Sequence, residues 1–153
     1  MYADQSFMDW TSQAATIVIE GTVTGETPVV PLDRYPVHRT YGRHLFVRVD
    51  QVLWKSIDQV PAAMEIGGPM SEGKDDGRIV DLDFAGAYRL KKGDQFVGAI
   101  VLDPGLGVDG FLQTPTSVIK VTDGKLSPID QAPEYQQELA GKSVDDLKKL
   151  LQG

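Results

Sequence analysis

Ala15-Thr16-Ile17-Val18-Ile19-Glu20-Gly21-Thr22-Val23-Thr24 is the stretch on which the fold turns. Its β-branched residues pack well on a pleated surface. Side chains alternate across a strand, so Ile17, Ile19 and Val23 share one face and Glu20, Thr22 and Thr24 the other. Gly21, in the middle, signals a bulge or sharp coil of the kind a barrel needs at its corners.

Working outward, the next apolar run repeats the pattern. Leu45, Val47 and Val49 alternate with Phe46, Arg48 and Asp50, and Val52-Leu53-Trp54 then breaks the phase, as a β-bulge does. Between the two runs, Pro28, Pro31 and Pro36 exclude a central strand and mark a long loop. Met64 and Ile66 predict a short third strand. Ser71-Glu72-Gly73-Lys74-Asp75-Asp76-Gly77 reads as a mobile loop across 71–78, and Val80, Leu82 and Phe84 as a half-exposed strand. Phe96-Val97-Gly98-Ala99-Ile100-Val101-Leu102 is apolar on both faces and predicts the most buried strand. Phe111-Leu112 and Val118-Ile119-Lys120-Val121 add strands, and Thr122-Asp123-Gly124-Lys125 a hairpin turn of type I′.

Helices are expected at both ends. Phe7, Trp10 and Ala14 recur at helical spacing after Asp4 and Ser6. Near the C-terminus, Ser143 and Asp146 form a capping box ahead of an apolar stripe of Val144, Leu147, Leu150 and Leu151. No strand–helix–strand alternation is present to build a parallel sheet. The expected fold is mostly β: a small closed OB-like β-barrel of about five to seven strands with short N- and C-terminal helices. One domain fills residues 1–153, with the barrel over 14–128 and a docked tail and helix over 129–153.

Bulk composition narrows function by exclusion. The chain has 153 residues, 41% apolar and 24% charged, a net charge of −7 and no cysteine. Disulfides, thiolate metal sites and cysteine nucleophiles are therefore absent. The acidic total disfavours nucleic acid, whose phosphates are held mainly by Lys and Arg. No stretch approaches the length of a membrane-spanning helix. The residues after Met1 lack the basic and apolar regions of a signal peptide, a start compatible with a cytoplasmic protein or a mature secreted one. No motif implies a cofactor, and none marks a catalytic centre.

The order of landmarks resembles OB-like β-barrel domains of secreted bacterial proteins of poorly defined function, distantly like the inhibitor domain of tissue metalloproteinase inhibitors. Ala15 to Val23, Val49-Asp50-Gln51-Val52-Leu53-Trp54-Lys55, Ile66-Gly67-Gly68, Leu90-Lys91-Lys92-Gly93-Asp94-Gln95-Phe96 and Val121 to Leu126 carry the resemblance. It implies a barrel and an extracellular or cell-surface setting. It implies no inhibitory activity, because those inhibitors coordinate zinc through an N-terminal cysteine and this chain has none.

The most informative segment for function runs from Arg34 to Val49. It holds Arg34, Arg39, Arg43 and Arg48, both histidines (His38 and His44), Tyr35, Tyr41 and Phe46, yet no carboxylate, in a chain that carries 22. Guanidinium groups grip phosphate or sulfate and rings stack on sugars or bases, so the segment suits an anionic glycan or an acidic protein partner. The competing reading pairs the arginines with surface carboxylates and packs the tyrosines as loop anchors. Trp54 either stacks a ligand or closes the barrel end. A hydrolase using Asp81 or Asp83 with His38 or His44 is the catalytic alternative, and single-strand nucleic-acid binding is a third. His38 and His44 match no metal-ligand spacing. The Gly-rich run 103–110 lacks the ending of a phosphate loop.

Overall fold

Strand β1 (Thr16–Glu26) lies inside the main sheet, with a long antiparallel partner along each edge. The computed structural model describes residues 16–26, 30–31, 41–42, 44–67, 72–75, 78–81, 90–102, 109–111, 118–128 and 134–152. Along one edge β1 pairs antiparallel with β4 (Leu45–Lys55), from Ile17↔Lys55 to Glu26↔Leu45. Along the other it pairs with β8 (Gln95–Leu102), from Thr16↔Val101 to Thr22↔Gln95. β4 continues to β5 (Ala63–Gly67), and β8 to β10 (Val118–Thr122) and β11 (Lys125–Ser127). The result is a six-strand antiparallel sheet, β5-β4-β1-β8-β10-β11, curved into a half-barrel.

The sheet is open where a closed barrel is expected from the sequence. Between β5 and β8 lies only β9 (Gly110–Phe111), parallel to β5 through Ile66↔Gly110 and Gly67↔Phe111 and antiparallel to β8 through two further pairs. A five-residue β5 is too short to run the length of β8, so the seam is a two-residue stitch rather than a ladder. Two small hairpin sheets stand apart from the main one. The first pairs β2 (Val30–Pro31) with β3 (Tyr41–Gly42). The second pairs β6 (Glu72–Asp75), where the sequence suggests a loop, with β7 (Arg78–Asp81), which contains the Val80 expected in a strand. The expected N-terminal helix lies outside the described residues.

Curvature comes from three register shifts between β1 and β4, at Val18/Ile19, Glu20/Gly21 and Val23/Gly25. The first leaves Leu53 as the extra residue opposite Val18 and Ile19. This is the phase break expected at 52–54, and it lets Leu53 and Trp54 serve the same side of the sheet.

Each face of the sheet buries its own core. Ile17, Ile19, Leu45, Val47, Ile66, Phe96 and Ile100 fill the hollow of the half-barrel. Val18, Leu53, Val97, Ile119 and Leu126 face outward under helix α2 (Val144–Gln152), which follows the one-turn α1 (Glu134–Gln137). β8 is therefore apolar on both sides because both sides are covered. Each such large side chain contributes roughly 1.5–3 kcal/mol on burial.

Local signals hold at the C-terminal end. Asp123 and Gly124 adopt φ of 53° and 76°, as a type I′ turn requires. Ser143 Oγ accepts from Asp146 N–H at 3.2 Å, and Ser143 N–H donates to Asp146 Oδ2 at 3.1 Å, completing the capping box. That backbone N–H, first, and the hydroxyl hold the Asp146 carboxyl below its ordinary range, so the cap is present above that lowered value and weakens as pH falls through it. Val144 and Leu147 are buried and Leu151 partly so, whereas Leu150 is 49% exposed. Leu150 lies about 120° around the axis from Val144, beyond the docked face.

Gly110 marks the tightest point of the seam. A β-carbon there would stand 2.6 Å from Ile100 Cγ2 and 3.0 Å from the Val101 carbonyl oxygen. Gly110→Ala is expected to destabilise the fold by about 1–3 kcal/mol, the usual cost of overpacking, as a lower denaturant midpoint at unchanged slope. An unchanged midpoint would mean that β9 does not close against β8.

Candidate functional site

Outward-facing positions on β4 divide into two zones. At the Lys55 end, Leu53 and Trp54 pack under α2, and Gln152 Nε2 donates to the Leu53 carbonyl at 3.2 Å, fastening the helix end to the strand. Trp54 is half-buried against this outer core. With Val52, Leu53, Lys55, Val60 and Gln152 it lines a shallow groove of about 460 Å³.

Among the described residues no helix covers the Leu45 end. Because Leu45 and Val47 point into the half-barrel, Phe46 and Arg48 point to solvent, with the Phe46 ring 43% exposed. Arg48 is held in place: its Nε donates to Asp50 Oδ1 at 2.8 Å and its Nη2 to Thr22 Oγ1 at 3.3 Å. Thr22 Oγ1 in turn donates to Asp50 Oδ2 at 2.5 Å, closing a ring of three side chains across β1 and β4. Thr24 Oγ1 donates to the Phe46 carbonyl at 3.2 Å and fixes the backbone that presents the ring. On the β5 side, His44 Nδ1 lies 3.0 Å from Glu65 Oε1, and the Glu65 backbone N–H donates to Asp109 Oδ2 at 2.8 Å.

This patch is an exposed ring bordered by an arginine and a histidine, each meeting a carboxylate. The sequence expectation of a segment free of counter-charge therefore holds only along the chain. In space, Asp50 supplies an anion to Arg48 and Glu65 one to His44. Asp50 was readable two residues after Arg48, since period-two positions share a strand face. Thr22 and Glu65 carried no such signal, because only the strand register brings them in.

Of the residues singled out from sequence, His44, Arg48 and Trp54 are placed with their side chains, and Arg48 and Trp54 stand at opposite ends of β4. Tyr41 contributes to β3 through Pro31↔Tyr41, and Asp81 to β7 opposite Glu72. Arg34, Tyr35, His38, Arg39, Arg43 and Asp83 lie outside the described residues. Among the described residues no three His, Asp or Glu side chains gather at a common point, and no helix is long and apolar enough to cross a membrane.

Glu20 borders the patch on the same outward face of β1. Burial first, then the negative charges of Asp50 and of Asp145 on α2, raise its carboxyl above the ordinary glutamate range. The ionised form is thus penalised in the folded state at neutral pH. The penalty lifts as pH falls through the raised value. No family model, characterised protein or solved structure matches the chain.

Glu20→Gln is accordingly expected to be more stable than the parent at pH 7. The advantage should shrink as pH falls and vanish below the unfolded glutamate's titration, as read from denaturant midpoints across pH. A less stable variant at neutral pH would show that Glu20 is held as a favourable anion instead.

Proposed function

We propose that the chain is a non-catalytic binding module whose contact face combines the uncovered end of β4 with segment 34–48. The observation that carries this reading is Phe46. It is the one large apolar side chain of β4 left to solvent among the described residues, and its neighbours on the strand face are held by side-chain hydrogen bonds. An aromatic ring kept exposed beside a guanidinium offers a stacking surface and a charged grip together.

The connectivity supports an OB-type relationship. Of the six strands of the half-barrel, β1, β4, β5, β8 and β10 follow one another in chain order with β9 stitched between β5 and β8, and OB folds are five-stranded, partly open Greek-key barrels. In such folds the face of strands two and three and the loop after strand one take up oligosaccharides and oligonucleotides. Here those parts are β4, β5 and the segment that contains Arg34, Arg39 and Arg43.

The ligand class that fits is an anionic glycan. A single exposed ring on β4 suits one sugar unit, whereas sequence-tolerant binding of single-stranded nucleic acid stacks successive bases on several rings. Arg48 is already matched by Asp50, so the attraction for anions comes from Arg34, Arg39 and Arg43. An extracellular setting accords with such a ligand and rests on the family resemblance.

Binding of sulfated and carboxylated oligosaccharides to the purified chain tests this. Affinity is expected to fall with rising salt. Phe46→Ala should weaken it about tenfold, in line with the ~1–3 kcal/mol typical of ring stacking. Arg39→Ala/Arg43→Ala should weaken it further and flatten the salt dependence. No binding at low salt, or binding indifferent to both variants, would remove the glycan reading.

A further inference from the structure

The groove at the Lys55 end of β4 lies at the opposite end of the strand from Phe46. Val52, Leu53, Trp54 and Lys55 follow one another along the strand, and all of them line it. Val52 packs with Val60 against the inner core, whereas Leu53 and Trp54 belong to the outer one. A groove lined by consecutive residues from both faces of a sheet runs along a strand edge. β1 holds one edge of this part of β4, from Ile17↔Lys55 to Glu20↔Gln51. On the other edge β5 pairs only as far as Arg48↔Ala63, followed by a bond from Val49 N–H to the Ala62 carbonyl at 2.8 Å. Among the described residues no strand pairs with Val52–Lys55 on that side.

This edge has an apolar wall on each side: Val52 and Val60 toward the half-barrel, and the Trp54 ring toward α2. An added strand sets alternate side chains on two such walls while its backbone meets the edge. Four residues of β4 span about 10 Å, and the groove holds about 460 Å³, within the ~300–1,000 Å³ usual for ligand sites. Charge narrows the occupant further. Two lysines bracket the lined stretch, Lys55 at its end and Lys148 against Gln51, the residue before it. Lys55 Nζ donates to the Asp58 backbone carbonyl at 3.1 Å and Lys148 Nζ to Gln51 Oε1 at 3.4 Å. Among the described residues both ammonium groups thus meet neutral oxygens and no carboxylate. Such an edge repels a cationic strand and favours an acidic one.

We infer that the Val52–Lys55 edge is a strand-addition site for an acidic, extended peptide segment of a protein partner. The peptide backbone pairs with β4, its alternate apolar side chains rest on Val60 and Trp54, and its carboxylates meet Lys55 and Lys148. Leu53, the extra residue of the bulge, has its carbonyl met by the Gln152 side-chain amide at 3.2 Å, so the end of α2 holds this stretch in shape before a peptide arrives. The site is independent of the Phe46 face and of the ligand proposed for it.

Titration of the full chain with short synthetic peptides, followed by backbone amide NMR shifts, tests this. The peptides alternate threonine with valine, leucine or phenylalanine and end either in paired glutamates or in paired lysines. Glutamate peptides are expected to shift the amides of Val52–Lys55 and to bind about tenfold more tightly than their lysine twins. Lys55→Glu, at an exposed position, should remove most of that preference. Methylating alternate backbone nitrogens of the peptide should abolish binding, because it removes the donors of a strand pair and keeps the side chains. No shift at Val52–Lys55 with any glutamate peptide, or undiminished binding of the methylated one, would overturn the inference. Shifts confined to the Phe46 end of β4 would assign the peptide to the other face and overturn it as well.

Discussion

The structure depends on one strand being satisfied on four sides. β1 gives its backbone hydrogen bonds to β4 on one edge and β8 on the other. Its side chains enter the half-barrel core through Ile17, Ile19 and Val23, and the outer core through Val18. A backbone group buried without a partner costs about as much as a lost hydrogen bond, so a strand buried on both faces must be paired on both edges. That requirement fixes the positions of β4 and β8. The bulges between β1 and β4 fix the curvature, and β8 then carries β10, β11 and the helix that closes the outer core. The Phe46 patch exists because α2 covers only the Lys55 end of β4. Among the described residues nothing packs over the strand's other end, so its outward residues are held in the sheet and Phe46 stays exposed.

Much of this was legible in the sequence, and the parts that were not share a physical cause. Period-two alternation marked β1 and β4, two-sided apolarity marked β8, Asp123-Gly124 marked the hairpin, and Ser143 with Asp146 marked the start of α2. Each signal is local, determined by residues within a few positions of one another. Openness of the sheet is not local. It depends on how far β5 runs beside β8, and five residues of strand cannot say where a partner forty residues later will end. Leu150 looked like part of the docked stripe because it is apolar. The helix has only nine residues to turn, and the sheet offers it one narrow face.

The candidate site shows the same division. Residues 34–48 stood out for cations and rings without acids, a composition that sequence reports directly. What composition cannot report is the counter-charge delivered by folding: Asp50 beside Arg48 and Glu65 beside His44. In each case the partner arrives by strand register, and register is decided by the whole hydrophobic pattern and the bulges within it. Residues 71–78 read as a loop because glycine and acid dominate them, so β6 was missed, whereas Val80 marked a strand and lies in β7.

Native-state hydrogen exchange is the most direct test of the claim that β1 holds the rest together. The account predicts that amides of Ile17–Gly21 and their partners in β8 exchange only through global unfolding, at the free energy measured by denaturant. Those of β6, β7 and the exposed turns of α2 should exchange through smaller openings. If β1 amides exchanged through a sub-global opening while β4–β5 or α2 stayed protected, the half-barrel would be organised around another element, and the account of the Phe46 face built on β1 would be wrong.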